Sequence, residues 1–263
     1  MHILDLFQSP WVFVSFNLGL GLIIGSFLSM LTARLGNAAA QGTPVSLSDF
    51  GGRSHCPDCE TTLPWYRLIP LLSWVLSRGR CHACHNTISR RYPLIEGASA
   101  VLLACLAWQF GPSLDWALFA FFSVWLLTLA IIDWEHHLLL DALTLPLLWM
   151  GLMINTQGWL TPLPSAVWGA VVGYLLFWTV YYVFYILTRK QGMGFGDFKL
   201  SAALGAWFGW MALPQIILVA ALSSLSIALL SAWLGQRSLH APMAFGPFLA
   251  LGGLSVIFWP FNP

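Results

Sequence analysis

Ala117-Leu118-Phe119-Ala120-Phe121-Phe122-Ser123-Val124-Trp125-Leu126-Leu127-Thr128-Leu129-Ala130-Ile131-Ile132-Asp133 runs for sixteen residues without a charge and then ends on a carboxylate. About 20 apolar residues carry a helix through the roughly 30 Å hydrocarbon layer of a membrane. The run therefore reads as a transmembrane helix over about 115–132. An acid at that depth is costly and calls for a partner or a task.

Working outward, the same pattern recurs. Eight apolar segments read as helices, over about 11–32, 94–111, 115–132, 138–154, 164–188, 200–213, 215–234 and 243–260. The sixth is short for a full span. The composition agrees: 58% of the 263 residues are hydrophobic and only 8% are charged, against about a quarter charged in soluble domains. The expected fold is an all-α polytopic membrane protein of about eight transmembrane helices. Trp11, Trp116, Trp159 and Trp259 lie near segment ends, where indole rings favour the membrane interface. The flank Met1–Pro10 lacks the basic start of a signal peptide, so the first segment reads as a retained helix.

The eleven Lys and Arg residues fix the orientation. Arg34, Arg53, Arg67, Arg78, Arg80, Arg90 and Arg91 fall between the first two segments. Arg189, Lys190 and Lys199 fall between the fifth and sixth, and Arg237 between the seventh and eighth. The alternate loops carry none. All eleven lie on one side, which the positive-inside rule makes cytoplasmic. An odd number of spans would break this agreement.

The first cytoplasmic loop holds Cys56-Pro57-Asp58-Cys59 and Cys81-His82-Ala83-Cys84, a C-x2-C-x21-C-x2-C pattern. Two such turns present four thiolates to a tetrahedral zinc ion, and a closed four-thiolate site is structural. The cytoplasm disfavours disulfides, and a loop of this size without a large apolar core needs metal to fold. A redox dithiol pair is the competing reading. The chain thus divides into a first helix (1–34), a small cytoplasmic four-cysteine zinc module inserted between helices 1 and 2 (35–92), and a seven-helix core (93–263). Cys105, inside the second segment, reads as a buried small hydrophobe.

A second acid, Asp197, follows Gly194-Phe195-Gly196 just before the sixth segment. In the deduced topology Asp133 and Asp197 lie at the same cytoplasmic depth. Two carboxylates brought together cannot both ionise, so one holds a proton while the other acts as a base. The base activates water for attack on a peptide carbonyl, and its partner hydrogen-bonds the carbonyl oxygen. Gly194 and Gly196 let an extended peptide approach closely. The competing readings are a solvent-facing acid for Asp133, unfavourable at a helix C-terminus, and an N-cap for Asp197.

Three further residues read as substrate-positioning candidates. Asp141 either orients substrate or caps the fourth helix. Glu96, at the start of the second helix, pairs with a basic substrate group or with Arg90 or Arg91, or is simply a helix-start acid. Lys199 pairs with an aspartate or with lipid phosphate, the latter being commoner at this depth. A metal held by His136 and His137 is disfavoured, because adjacent residues do not share a helical face.

Together these motifs resemble the prepilin peptidase, or type IV leader peptidase, family of the bifunctional bacterial kind. The resemblance rests on Gly25-Ser26-Phe27-Leu28 ahead of Arg34-Leu35, and on the double Cys-x-x-Cys loop closing with Arg90-Arg91-Tyr92-Pro93-Leu94-Ile95-Glu96. It rests equally on Ile132-Asp133 running to Asp141-Ala142-Leu143-Thr144-Leu145-Pro146, and on Gly194-Phe195-Gly196-Asp197-Phe198-Lys199-Leu200. It implies an inner-membrane aspartyl peptidase that removes the basic leader from type IV prepilins or type II secretion pseudopilins at the cytoplasmic face. Asp133 and Asp197 would be its catalytic pair and the four cysteines its zinc ligands. It also implies N-methylation of the new N-terminus with S-adenosylmethionine; the alternative is a peptidase without methyl transfer. Implied partners are the precursors, membrane lipid, and components of the pilus or type II secretion system, with no nucleic acid. Ser29, Gly36 and Leu140 depart from the family pattern, and no Gly-rich nucleotide loop marks a methyl-donor site.

Overall fold

The computed structural model describes residues 9–42, 55–56, 58–64, 67–190, 192–235 and 243–259. Pro57, Arg53 and Arg237 fall outside the described residues. Each of the eight apolar segments corresponds to a helix: α1 (Pro10–Ala40), α3 (Arg91–Phe110), α4 (Leu114–His136), α5 (Asp141–Asn155), α6 (Leu163–Thr188), α7 (Phe195–Phe208), α8 (Leu213–Trp233) and α9 (Gly246–Phe258). A five-residue helix, α2 (Leu72–Leu76), lies in the cysteine loop. A 3-10 turn at Trp210–Ala212 leads into α8.

Among the described residues, five helical stretches are long and apolar enough to cross a membrane: α1, α3, α4, α6, and Trp210–Trp233, which contains α8. The others are shorter. At about 1.5 Å per residue, α5, α7 and α9 each extend roughly 20 Å, well under the hydrocarbon thickness. Trp11, Trp159 and Trp259 are exposed, as interface anchors would be. Cys105 corrects the expectation of burial: it is exposed on α3. On a lipid-facing surface an apolar side chain has no need of a protein core.

The chain divides into two compact units, Met1–Val124 and Trp125–Pro263, with the division inside α4. In the first unit α1 packs on α3 through small residues. A Cβ added at Gly21 or Gly25 would strike the backbone of Ala100 or Glu96. Arg91 Nη1 donates to the Ser29 carbonyl at 2.7 Å and Nη2 to Thr32 Oγ1 at 2.6 Å, securing the same pair. Ser29, the departure noted above, contributes through its backbone carbonyl. The cysteine loop turns back on itself by two isolated bridges, His55↔Thr62 and Arg80↔Thr87.

In the second unit α7 is the central element, buried along most of its length. It packs against α5, α6 and α9. Its helix begins at Phe195, five residues before the start read from hydropathy, so Asp197 sits within its first turn.

Candidate active site and cysteine cluster

Asp133 lies three residues from the end of α4 and is 5% exposed. Its Oδ2 accepts a hydrogen bond from the backbone N–H of Gly246 at 2.9 Å. Gly246 is the first residue of α9, so this N–H is one of the donors that a helix start leaves unpaired. The carboxylate occupies a helix N-terminus, where negative charge is favoured. This explains why an acid near the C-terminal end of α4 is tolerated.

Asp197 is 7% exposed on the first turn of α7. It is not the N-cap; Gly194 holds that position and makes no side-chain cap. The Asp197 carboxylate is in electrostatic range of Asp133. Its Oδ1 is buried and has no hydrogen-bond partner among the described residues. Leu139 links the two: its side chain packs where a Cβ at Gly196 would sit and also borders Gly246. The chain thus brings both acids into one unit, from different helices, with one acceptor oxygen unused.

The remaining residues separate. Asp141 and Lys199 form an ion pair, with Nζ 2.6 and 2.7 Å from the two carboxylate oxygens. Asp141 is in the first turn of α5, whose N-cap is Leu140, and Lys199 is one turn into α7. The expectation of lipid phosphate for Lys199 gives way to this protein partner. Gly194 stands open, whereas Gly196 is packed against Leu139. Glu96 belongs to the first unit, in the second turn of α3 rather than at its start. It is 7% exposed, and its Oε2 accepts the Leu71 N–H at 2.7 Å. Leu71 has φ +56°, an unfavourable backbone for a branched residue that this bond helps to hold.

Two important residues were not read from sequence. Gly246 has no motif around it that distinguishes a donor from a helix start. Asn155 ends α5 fully buried: Nδ2 donates to the carbonyls of Ala206 and Trp207 at 2.9 and 3.0 Å, and Oδ1 accepts from Leu160 and Thr161 at 3.1 and 3.0 Å. Its signal was an amide at the end of an apolar run.

In the first unit, the Sγ atoms of Cys56, Cys59, Cys81 and Cys84 lie within 4.8 Å of one another. The pairs Cys56–Cys84 and Cys59–Cys81 are 3.9 Å apart, and none forms a disulfide. Four sulfurs at the 2.3 Å zinc–sulfur distance of a tetrahedral site sit about 3.8 Å apart, so this donor set fits zinc. Hydrogen bonding to the Thr61 side chain, and then to its backbone, lowers the Cys59 thiol to about 6. Cys84 is pushed up to about 12: the Asn86 backbone hydrogen bond opposes this, but desolvation and the neighbouring thiols outweigh it. Four thiols this close cannot all ionise without a cation between them.

Comparison with known proteins agrees with this geometry. The type IV leader peptidase family matches residues 120–232, and the bacterial peptidase A24 N-terminal domain matches 20–110. A prepilin leader peptidase/N-methyltransferase of Stutzerimonas stutzeri is 39% identical, covering 96% of this chain and 92% of its own. One of Dickeya chrysanthemi is 44% identical over 93% and 92%, and one of Pseudomonas aeruginosa 37% over 98% and 95%. No solved structure matches. With five helices able to cross a membrane and relatives alike over almost their whole length, the chain is a multi-pass membrane protein that belongs to the type IV leader peptidase family.

Proposed function

We propose that this chain is a prepilin leader peptidase/N-methyltransferase of the bacterial inner membrane, with Asp133 and Asp197 as its catalytic pair at the cytoplasmic face. All eight apolar segments cross or enter the membrane in this reading, and 1–34, 35–92 and 93–263 serve as first helix, zinc module and protease core. The single observation that carries it is the burial of Asp133 and Asp197 in one unit, within electrostatic range, with Asp197 Oδ1 unpartnered among the described residues.

The chemistry follows from these groups. Two coupled carboxylates hold one proton between them. The ionised member takes a proton from water as the oxygen attacks the peptide carbonyl, and the protonated member hands its proton to the carbonyl oxygen; the member now carrying the water's proton passes it to the leaving amine as the C–N bond breaks, while its partner recovers one from the collapsing diol. Gly246 N–H fixes Asp133 in place for this. The Asp141–Lys199 pair ties α5 to α7 next to Asp197 and so positions it. The substrate is a precursor whose basic leader stays cytoplasmic while its apolar segment enters the membrane. The leader would come from a type IV prepilin or a type II secretion pseudopilin, with membrane lipid and the pilus or secretion machinery as partners. Cys56, Cys59, Cys81 and Cys84 hold structural zinc, and Glu96 anchors their loop through Leu71. S-adenosylmethionine would supply an electrophilic methyl group to the freed amine.

The test is incubation of the purified protein with a precursor and labelled methyl donor, followed by mass measurement of the product N-terminus. Asp133→Asn and Asp197→Asn should each abolish leader removal while the protein stays folded. Cleavage persisting in either folded variant removes the pair from the mechanism.

A further inference from the structure

The cysteine loop carries an apolar surface that neither the thiol cluster nor the acid pair explains. Its short helix α2 has two faces. Trp74 turns inward: its ring lies 2.9 Å from where a Cβ on Gly79 would sit, and its Nε1 donates to the Ile88 carbonyl at 3.3 Å. Leu72, Val75 and Leu76, at i, i+3 and i+4, share the opposite flank. All three are exposed, Leu76 by 75%, and so are Leu68 and Ile69 just ahead of them. A contiguous apolar patch of this kind marks an interaction surface.

One hydrogen bond sets its depth. The Leu71 N–H, immediately before α2, donates to Glu96 Oε2 at 2.7 Å. At 1.5 Å per residue, Glu96 lies about 7 Å along α3 from its first residue, Arg91. α3 is 20 residues long, which is about the thickness of the hydrocarbon layer. The bond therefore holds the head of α2 at the boundary where α3 enters the membrane. Leu94, two residues before Glu96, is 69% exposed, as a side chain in contact with lipid would be. Arg67 precedes the patch, and Arg78 and Arg80, both exposed, follow it. An apolar face bracketed by arginines suits a segment lying in an anionic membrane interface.

We propose that residues 68–76 form an interfacial foot that beds the cysteine module into the adjoining leaflet. Leu72, Val75 and Leu76 sit among acyl chains, and Arg78 and Arg80 meet anionic lipid headgroups. The foot depends on α3 crossing the membrane and not on the peptidase reading. A second copy of the chain, or another segment of the same loop, is the competing occupant.

The experiment places the full chain in nanodiscs of phosphatidylethanolamine and phosphatidylglycerol, with a trace of phosphatidylcholine bearing a diazirine near the start of its acyl chain. After irradiation, lipid adducts are mapped by mass spectrometry. Residues 68–76 should be labelled to an extent comparable with the segment around Leu94. Residues 58–62, which carry no large apolar side chain, should stay near background. Replacing phosphatidylglycerol by phosphatidylcholine should lower the labelling of 68–76 by roughly threefold or more. Arg78→Glu with Arg80→Glu should do the same in the original lipid, and Val75→Glu with Leu76→Glu should remove the label. An unlabelled 68–76 beside a labelled α3 would overturn the foot and show that protein covers this face. Equal labelling of 58–62, or labelling indifferent to phosphatidylglycerol, would overturn it as well. The wild-type comparisons need no substitution, so the test stands even where a charge variant fails to fold. Leader cleavage enters none of these readouts.

Discussion

Gly246→Ala separates stability from activity at the Asp133 carboxylate. The added Cβ would lie 2.7 Å from Asp133 Oδ2, 3.1 Å from its Cγ and 3.2 Å from Leu139 Cδ2. Ordinary contact requires the oxygen to retreat by about 0.7 Å. Both obstacles are side-chain atoms, so the backbone can stay while Asp133 turns. An off-rotamer carboxylate costs about 0.5–1.5 kcal/mol, and weakening a hydrogen bond to a charged group adds about 1 kcal/mol more. The variant should therefore fold, with a loss of about 1–3 kcal/mol.

Activity should suffer far more. A misplacement approaching 1 Å at a reacting group lowers rate by about 100-fold, and the retreat moves Asp133 off its backbone donor. Leader cleavage at equal folded fraction is the assay, with loss expected in kcat rather than KM. Gly97→Ala is the control: it lies in α3 with no atom within 4 Å of the new Cβ, and should be neutral or slightly stabilising. Wild-type kcat in a folded Gly246→Ala protein would falsify the view that Gly246 sets the position of Asp133.

Three other perturbations probe the supports around the site. Asn155→Ala strands two N–H groups and two carbonyls that the amide now serves; a loss of about 3 kcal/mol or more is expected, read as a drop in Tm, and a wild-type Tm would show that the amide is dispensable. Asp141→Lys and Lys199→Asp should each reduce cleavage, with stability changed by no more than about 1 kcal/mol because the pair is partly exposed. The double swap should recover activity beyond either single variant, whereas additive losses would deny that the pair positions α7. Chelation of zinc, or Cys81→Ser, should expose the loop from 55 to 90 to proteolysis while the helices remain protected; unchanged protease resistance would mean that the four thiols fold without metal.

Much of this architecture could be read from the chain because lipid imposes a simple rule: long uncharged runs become helices. Segment five, 164–188, matches α6 within a residue, and the cysteine spacing anticipated the thiol cluster. The start of α7 was missed because Gly194-Phe195-Gly196-Asp197 is polar and glycine-rich, which masks a helix whose first turn is buried by packing. Asp133 and Asp197 were singled out in the sequence because a carboxylate beside an apolar run stands out, and both are buried in one unit. Gly246 and Asn155 were not, because a backbone donor and a buried amide acquire their importance only from residues 113 and 51 positions away.

The helix that carries Asp197 is seated in its unit by α6 and α5. A Cβ on Gly205 of α7 would collide with the Gly169 carbonyl of α6, and one on Gly173 would meet the Ser201 carbonyl at 2.7 Å. Backbone therefore rests on backbone along this seam. On the α5 side, Gly151 leaves room for the fully buried Trp207, whose Nε1 donates to the Leu147 carbonyl at 2.8 Å. These contacts enclose a fourteen-residue helix that is too short to span lipid and whose apolar content alone would not fix its depth. Protein, not hydrocarbon, surrounds the acid, which is the condition under which a polar group persists at membrane depth. The same enclosure strengthens the interaction between the two carboxylates, since a charge removed from water is felt more strongly by its neighbour. In the proposed catalytic pair, the glycines of α6 and α7 would thus act without touching substrate, by fixing the helix from which Asp197 projects.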